Sequence, residues 1–147
     1  GRNLQQREEL QRLRLKKILD KRPVCFNHNL ETVERLQREV RRGANYKSSI
    51  NLLKIAKSLS PNLETKSGIM LGLGESLEEI KNTIIDLKRV NCNQITIGQY
   101  LRPSLNHLPV KKYWEPKEFE YIEKFAKQLD FNKVSCGPLI RSSYHAG

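Results

Sequence analysis

Short apolar segments alternate with longer amphipathic ones along this chain, which predicts an α/β fold of parallel strands joined by crossover helices. Three observations carry the prediction. Residues 24–26, 65–74, 94–100 and 133–136 are short, mostly apolar and bounded by turn-forming residues. The segments between them space their apolar residues at the helical period and are long enough to cross from one parallel strand to the next. The apolar runs lack strict alternation, as expected of strands covered on both faces. Four strands cannot close an eight-stranded barrel. The expectation is therefore either an open sheet or part of a barrel whose earlier, N-terminal strands are absent, with residues 1–147 forming a single unit.

Each element has its own signal. Leu4–Leu19 places Leu10, Leu13, Ile18 and Leu19 among many charged residues, a basic helix with a narrow apolar stripe inside a lead-in of residues 1–22 that Pro23 ends. Residues 24–26 read as a short buried strand. Asn27, His28 and Asn29 break it and lead into a helix over 31–40. Residues 48–59 form a helix with Ile50, Leu53, Ala56 and Leu59 on one face, closed by Pro61. The strand 65–74 carries Ile69, Met70, Leu71 and Leu73 and ends in glycines. Ser76 with Glu79 three residues on is a capping box, opening a helix that turns Leu77, Ile80, Ile84 and Leu87 inward. The strand 94–100 follows, then a loop with Pro103, Pro109 and Trp114. Pro116 suits a first helical turn, with Phe119, Ile122, Ala126 and Leu129 on the buried face. Lys133–Cys136 is the last strand, and residues 137–147 form a tail.

Composition narrows the classes. Of 147 residues, 37% are apolar and 29% charged, enough for a modest core. No run of apolar residues is long enough to span a bilayer, and no signal-peptide pattern is present. Lys and Arg number 27 against 16 Asp and Glu, a net charge of +11 that attracts acidic partners. The surplus is spread along the chain rather than concentrated, which disfavours nucleic acid as the partner. Cys25, Cys92 and Cys136 are far apart, neither a disulfide framework nor a metal pair, and fit a reducing compartment. Met70 is the only methionine, and Gly1 reads as a processed or trimmed start.

In parallel α/β folds, ligands gather at the carboxyl ends of the strands. Asn27, His28, Asn29 and Glu31 follow the first strand. Gly72, Gly74 and Glu75 follow the second, Gln99 and Leu101 the third, and Gly137, Arg141, Ser142 and Ser143 the last. Singly, such residues make turns and caps. Together they would converge on one face and surround a polar ligand. Gly68, Gly72 and Gly74 flank a strand of bulky residues, where glycine marks close approach of a ligand or backbone. No Walker lysine follows them. His28, His107 and His145 lack the spacing of a metal site. Ser142 and Ser143 have no nucleophile elbow around them. These residues point to a domain that holds a polar, nucleoside-like ligand.

FNHNLETVERL (26–36), TKSGIMLGLGE (65–75), TIGQYLRPS (96–104), HLPV (107–110) and GPLIRSSYHA (137–146) together resemble the C-terminal half of lipoyl synthase, a radical S-adenosylmethionine enzyme. The resemblance implies a partial (β/α) barrel that inserts two sulfur atoms into an octanoyl chain on a lipoyl carrier. Its cofactors would be S-adenosylmethionine and two [4Fe–4S] clusters, one cleaving the cofactor and one supplying sulfur. It implies that Asn27, Asn29 and Glu31 contact the ribose and amino-acid part of the cofactor. Gly68, Gly72 and Glu75, within a G-x-I-x-G-x-x-E element carrying Met70 in the Ile place, would let adenine lie against the strand. Gln99 and Leu101 would complete the pocket. Ser143, with Ser142 as the alternative, would ligate an iron of the auxiliary cluster, and Arg141 would offset cluster charge.

The same resemblance implies octanoylated carriers as partners, such as the glycine cleavage H protein and 2-oxoacid dehydrogenase lipoyl domains, and a reductant such as ferredoxin or flavodoxin. It implies a cytoplasmic enzyme in a bacterium, and a plastid or mitochondrial one in a eukaryote. Both family cysteine motifs, C-x-x-x-C-x-x-C and C-x-x-x-x-C-x-x-x-x-x-C, are absent. Three scattered thiols cannot hold two four-iron clusters. The expectation is that these residues have no catalytic group of their own and are inactive outside a longer enzyme. The rival expectations are a non-catalytic basic module binding RNA or an acidic protein, and a biotin synthase relative.

Overall fold

The computed structural model describes residues 4–41, 43 and 45–141. Among these, the order is α1 (Leu4–Leu19), β1 (Cys25–Asn27), a 3-10 turn (Glu34–Leu36), α2 (Gln37–Val40), α3 (Tyr46–Leu59), β2 (Glu64–Leu71), α4 (Leu77–Arg89), β3 (Gln94–Gln99), α5 (Pro116–Lys127) and β4 (Lys133–Cys136). The strands form one open sheet in the order β1-β2-β3-β4 with every neighbouring pair parallel. This is the expected α/β class. Helices α3, α4 and α5 supply the crossovers between successive strands.

The two faces of the sheet differ. Ile69 and Leu71 of β2 and Ile95 and Ile97 of β3 are buried in one cluster with Leu53 of α3, Ile80, Ile84 and Leu87 of α4, and Phe119, Ile122 and Ala126 of α5. The alternate positions belong to the opposite face: Glu64, Lys66 and Gly68 of β2 and Gln94, Thr96 and Gly98 of β3 are small or polar, and Met70 of β2 is the apolar exception. The expected burial on both faces holds for β3, where Ile95 through Gln99 are all buried, and fails in β2, where Glu64, Lys66 and Met70 are only partly buried. An apolar face packs on the helices, and the other is left mostly polar, as on the inner side of a barrel that four strands do not close.

The sequence signals that held were local. Ser76 caps α4: its hydroxyl accepts the Glu79 N–H and the Glu79 carboxylate accepts the Ser76 N–H. Pro116 sits in the first turn of α5, with a second capping box from Glu115 and Glu118. Each satisfies orphan N–H groups that would otherwise be lost at a helix start.

Three expectations need correction. Residues 31–40 are not one helix. Glu31 instead pairs with β2, its N–H donating to the Gly68 carbonyl at 3.1 Å and its carbonyl accepting the Met70 N–H at 2.9 Å. Only the 3-10 turn and the four residues of α2 are helical there. Buried Gln37 draws the segment inward by donating to the carbonyls of Leu30 and Thr32, both at 2.8 Å. In α1 the expected stripe is largely exposed. Leu13 and Ile18 are 59% and 46% accessible, and the buried residue is Leu15, packed with Ile55 and Ala56 of α3. Finally, β1 starts at Cys25, and Val24 is 90% exposed rather than buried.

Candidate functional site

A cavity of about 770 Å³ opens at the carboxyl ends of β2 and β3. Its walls come from four places. Glu31, Glu39, Val40 and Arg41 belong to the segment after β1. Met70, Leu73 and Gln99 stand at the strand ends. Tyr100 through Pro109 contribute much of the loop after β3, and Arg141 enters from the tail. The volume lies in the range of small-molecule sites, roughly 300–1,000 Å³. The chemistry is mixed: Met70, Leu73, Leu101, Leu108 and Pro109 are apolar, and two carboxylates and two guanidinium groups stand among them.

Glu31 is the most distinctive of these residues. Its φ is +72°, left-handed and uncommon for a residue with a side chain. The two backbone hydrogen bonds to β2 hold it there. Such conformations persist where the surroundings over-determine them, often at ligand sites. Burial pushes the Glu31 carboxyl pKa up, and the charge of Arg41 partly offsets this. The Arg41 guanidinium is itself fixed by donating to the Asn29 carbonyl at 2.8 Å. Arg35 fastens the outer side of the segment by a two-pronged pair with Glu79 and a bond to the Gly74 carbonyl.

The loop after β3 is closed at its base by a hydrogen-bonded clamp. The Glu75 carboxylate accepts the N–H groups of Gly72 and Leu73 and the indole N–H of Trp114. The Gln99 amide donates to the carbonyls of Tyr100 and Lys112, and its oxygen accepts the Trp114 backbone N–H at 2.9 Å. The Lys111 N–H donates to the Gly72 carbonyl at 2.8 Å. All three clamp side chains are at least nine-tenths buried. Higher in the loop, the Tyr100 hydroxyl donates to the Leu108 carbonyl at 2.6 Å, and Arg102 donates to the carbonyls of Leu105 and His107.

The sequence-predicted residues are therefore distributed unevenly. Glu31, Gln99 and Leu101 line the cavity together, with Arg141 and Met70. Asn27 and Asn29 stand before Glu31 on the same segment. Gly68, Gly72 and Glu75 are not among the residues that line the cavity. A side chain on Gly68 would meet the Thr96 hydroxyl and the Asn29 amide oxygen, and one on Gly72 would meet the Gln99 amide and the Lys112 carbonyl. Their smallness has neighbours within the fold to account for it. Ser142, Ser143 and His145 lie outside the described residues. His28 accepts or donates to the Ser49 hydroxyl at 3.1 Å, and burial, aided by Arg41, lowers its pKa to about 4. That is a structural histidine held neutral.

Sequence reasoning missed Trp114 and the pocket segment 106–109. The Trp114 signal was weak: a lone aromatic in a Pro-rich loop, whose partners lie far away in sequence.

The cavity offers apolar walls beside carboxylate and guanidinium groups, the kinds of surface that an adenosyl group bearing an amino-acid chain would need. An iron–sulfur cluster is not accommodated by the described residues, among which no three His, Cys, Asp or Glu gather. Cys25, Cys92 and Cys136 are free thiols. Burial raises the pKa of all three, to about 11 at Cys92 and about 12 at Cys136, away from the thiolate form that irons need.

Four parallel strands in one open sheet, joined by crossover helices, are consistent with part of a (β/α) barrel. No protein-family model matches the chain. Among curated proteins it is 72% identical over all 147 residues to lipoyl synthase 2 of Prochlorococcus marinus subsp. pastoris (strain CCMP1986 / NIES-2087 / MED4), of which it covers 49%. It is 52% identical over 95% of its length to lipoyl synthase 2 of Nostoc sp. (strain PCC 7120 / SAG 25.82 / UTEX 2576), covering 47% of that protein. It is 51% identical over 90% of its length to lipoyl synthase of Aliivibrio fischeri (strain MJ11), covering 41%. The chain belongs to the lipoyl synthase family and corresponds to its C-terminal half, spanning about half the length of the curated relatives it matches.

Proposed function

We propose that this chain forms the strand-end wall of the S-adenosylmethionine pocket of a lipoyl synthase, an enzyme that inserts two sulfur atoms into the octanoyl chain of a lipoyl carrier. The observation that carries the proposal is the convergence of Glu31, Gln99, Leu101 and Arg141 on one cavity at the carboxyl ends of parallel strands. In this reading Met70, Leu101 and Leu108 cover the purine, and Glu31 accepts hydrogen bonds from the hydroxyl or ammonium groups of the ligand. Asn27 and Asn29 position the segment that carries Glu31. Gly68, Gly72 and Glu75 shape the wall without lining it. Bound S-adenosylmethionine, given an electron from an iron–sulfur cluster, would supply the chemistry that removes hydrogen from unactivated carbons.

The two [4Fe–4S] clusters would be held by cysteines this chain does not contain, with Ser143, or Ser142 in its place, as the proposed oxygen ligand from the tail. The same reading makes the chain's share of the enzyme inactive alone. Octanoylated lipoyl carriers would be the protein substrates, drawn by the positive surface, and ferredoxin or flavodoxin the reductant. The relatives are bacterial, which supports a cytoplasmic enzyme. No helix among the described residues is long and apolar enough to cross a membrane.

The test is calorimetric titration of the whole protein with S-adenosylmethionine. Glu31→Ala should weaken binding by about 1–3 kcal/mol, the loss of a buried hydrogen bond to a charged group. Unchanged affinity would refute the assignment of Glu31.

A further inference from the structure

After β4 the chain turns back over the sheet. The Gly137 N–H donates to the Ile97 carbonyl at 3.0 Å, and the Ile140 N–H donates to the Gly137 carbonyl at 3.2 Å. This brings the backbone of Ile140 directly over Gly98. A Cβ on Gly98 would land on the Ile140 carbonyl oxygen, with the Ile140 carbonyl carbon at 3.0 Å and the Met70 methyl at 3.6 Å. The φ of Gly98 is not left-handed, so backbone conformation does not demand glycine there. Space does.

Of residues 138–141 in the crossing segment, only Ile140 is partly buried. Leu139 is 92% exposed and Pro138 is exposed. Contact between bare backbones sets the path. One residue beyond Ile140, Arg141 enters the cavity wall, and Met70, the ladder partner of Gly98, lines the same cavity.

We infer that Gly98 is a positioning residue: its bare α-carbon lets segment 137–141 lie across the polar face of the sheet and sets Arg141 into the pocket wall. The obstruction comes from a carbonyl oxygen, so no change of the Ile140 side chain relieves it. Any side chain at position 98 must lift the segment or push β3 aside. The strand is locked on both edges by parallel pairing, so the segment is what moves. The part of this inference that concerns the ligand rests on the adenosyl reading of the pocket; the part that concerns the crossing does not.

The experiment is amide hydrogen exchange on Gly98→Ala in the whole protein, with S-adenosylhomocysteine affinity measured on the same samples. Protection at the Gly137 and Ile140 amides should fall by about tenfold or more, while the Ile95 and Ile97 amides keep theirs. Unchanged protection at 137 and 140 overturns the inference. A second variant separates crossing from simple strand damage: Gly98→Ala in protein ending at Gly137. The alanine should lower the thermal midpoint of the full protein and leave that of the shortened one unaltered. An equal loss in both also overturns the inference. A fall of about fivefold or more in affinity, together with the exposed segment, supports the placement of Arg141; an exposed segment with unchanged affinity removes it. Failure of the unaltered protein to bind S-adenosylhomocysteine refutes the adenosyl reading and leaves the exchange result to decide the role of Gly98.

Discussion

The indole N–H of Trp114 donates to Oε2 of Glu75 at 3.2 Å, joining the far end of the β3 loop to the end of β2. The two residues stand 39 positions apart and are both buried. Glu75 also holds the turn at Gly72 and Leu73, so a single carboxylate ties the turn to the loop that walls the cavity. Trp114→Phe should cost about 1–2 kcal/mol, since it leaves one carboxylate oxygen short of a buried partner. Glu75→Gln disturbs the same clamp. The double variant should therefore cost less than the sum of the singles. Denaturant titration of the three proteins checks this, and strict additivity would show that the clamp is not a unit.

Gly72 should tolerate no side chain. Its φ is +117°, and a Cβ would run into the Gln99 amide and the Lys112 carbonyl. Gly43 shares a positive φ of +78° but has open space around it. Alanine at 43 should cost about 1–2 kcal/mol for backbone conformation alone. Alanine at 72 should cost clearly more, because strain and collision add. Equal thermal shifts for the two variants would contradict the packing described around Gln99.

How far could the sequence be read? Signals that act within a few residues were legible: the Ser76 and Glu79 cap, Pro116 at the start of α5, and the apolar runs of β2 and β3. Lys133–Cys136 was placed at its true bounds. Signals that depend on distant partners were not. Glu31 looked like a helical residue because its binding to Gly68 and Met70 is made across the fold. The bonds that tie Glu75 and Gln99 to Trp114 were not legible, because Trp114 is remote in sequence from both. The stripe on α1 misled because that helix buries only Leu15 among the described residues. The convergence of Glu31, Gln99, Leu101 and Arg141 was legible, since strand ends of a parallel sheet must share an edge.

Acid should weaken the fold through His28. Its pKa is about 4 in the folded chain because burial and Arg41 disfavour the imidazolium, against about 6.5 when exposed. The stability from keeping it neutral is full above the unfolded value. It is lost progressively as pH falls from there through the folded value, to an extent on the order of 3 kcal/mol. His28→Gln, which keeps a partner for Ser49, should flatten that part of the pH profile. A profile identical to the parent's would count against a buried neutral His28.

Glu31 should act in the opposite sense. Its folded pKa is raised, chiefly by burial, so ionising it costs stability as pH rises through the folded value and costs nothing below the unfolded one. Glu31→Gln should be more stable than the parent at neutral pH and equal to it in acid, while binding the adenosyl ligand less tightly. Greater stability with weaker binding is the mark of a strained ligand-facing residue. If the variant loses stability at neutral pH, Glu31 is a structural group instead.

Met70 is the only methionine in this chain and its side chain lines the cavity. Its methyl group is thus a reporter for the central claim, that the cavity at the ends of β2 and β3 takes an adenosyl ligand. In whole protein labelled with methyl-¹³C methionine, the resonance assigned by Met70→Leu should shift and saturate on titration with S-adenosylhomocysteine. Saturable binding that leaves the Met70 methyl unmoved would place the ligand elsewhere and contradict the account.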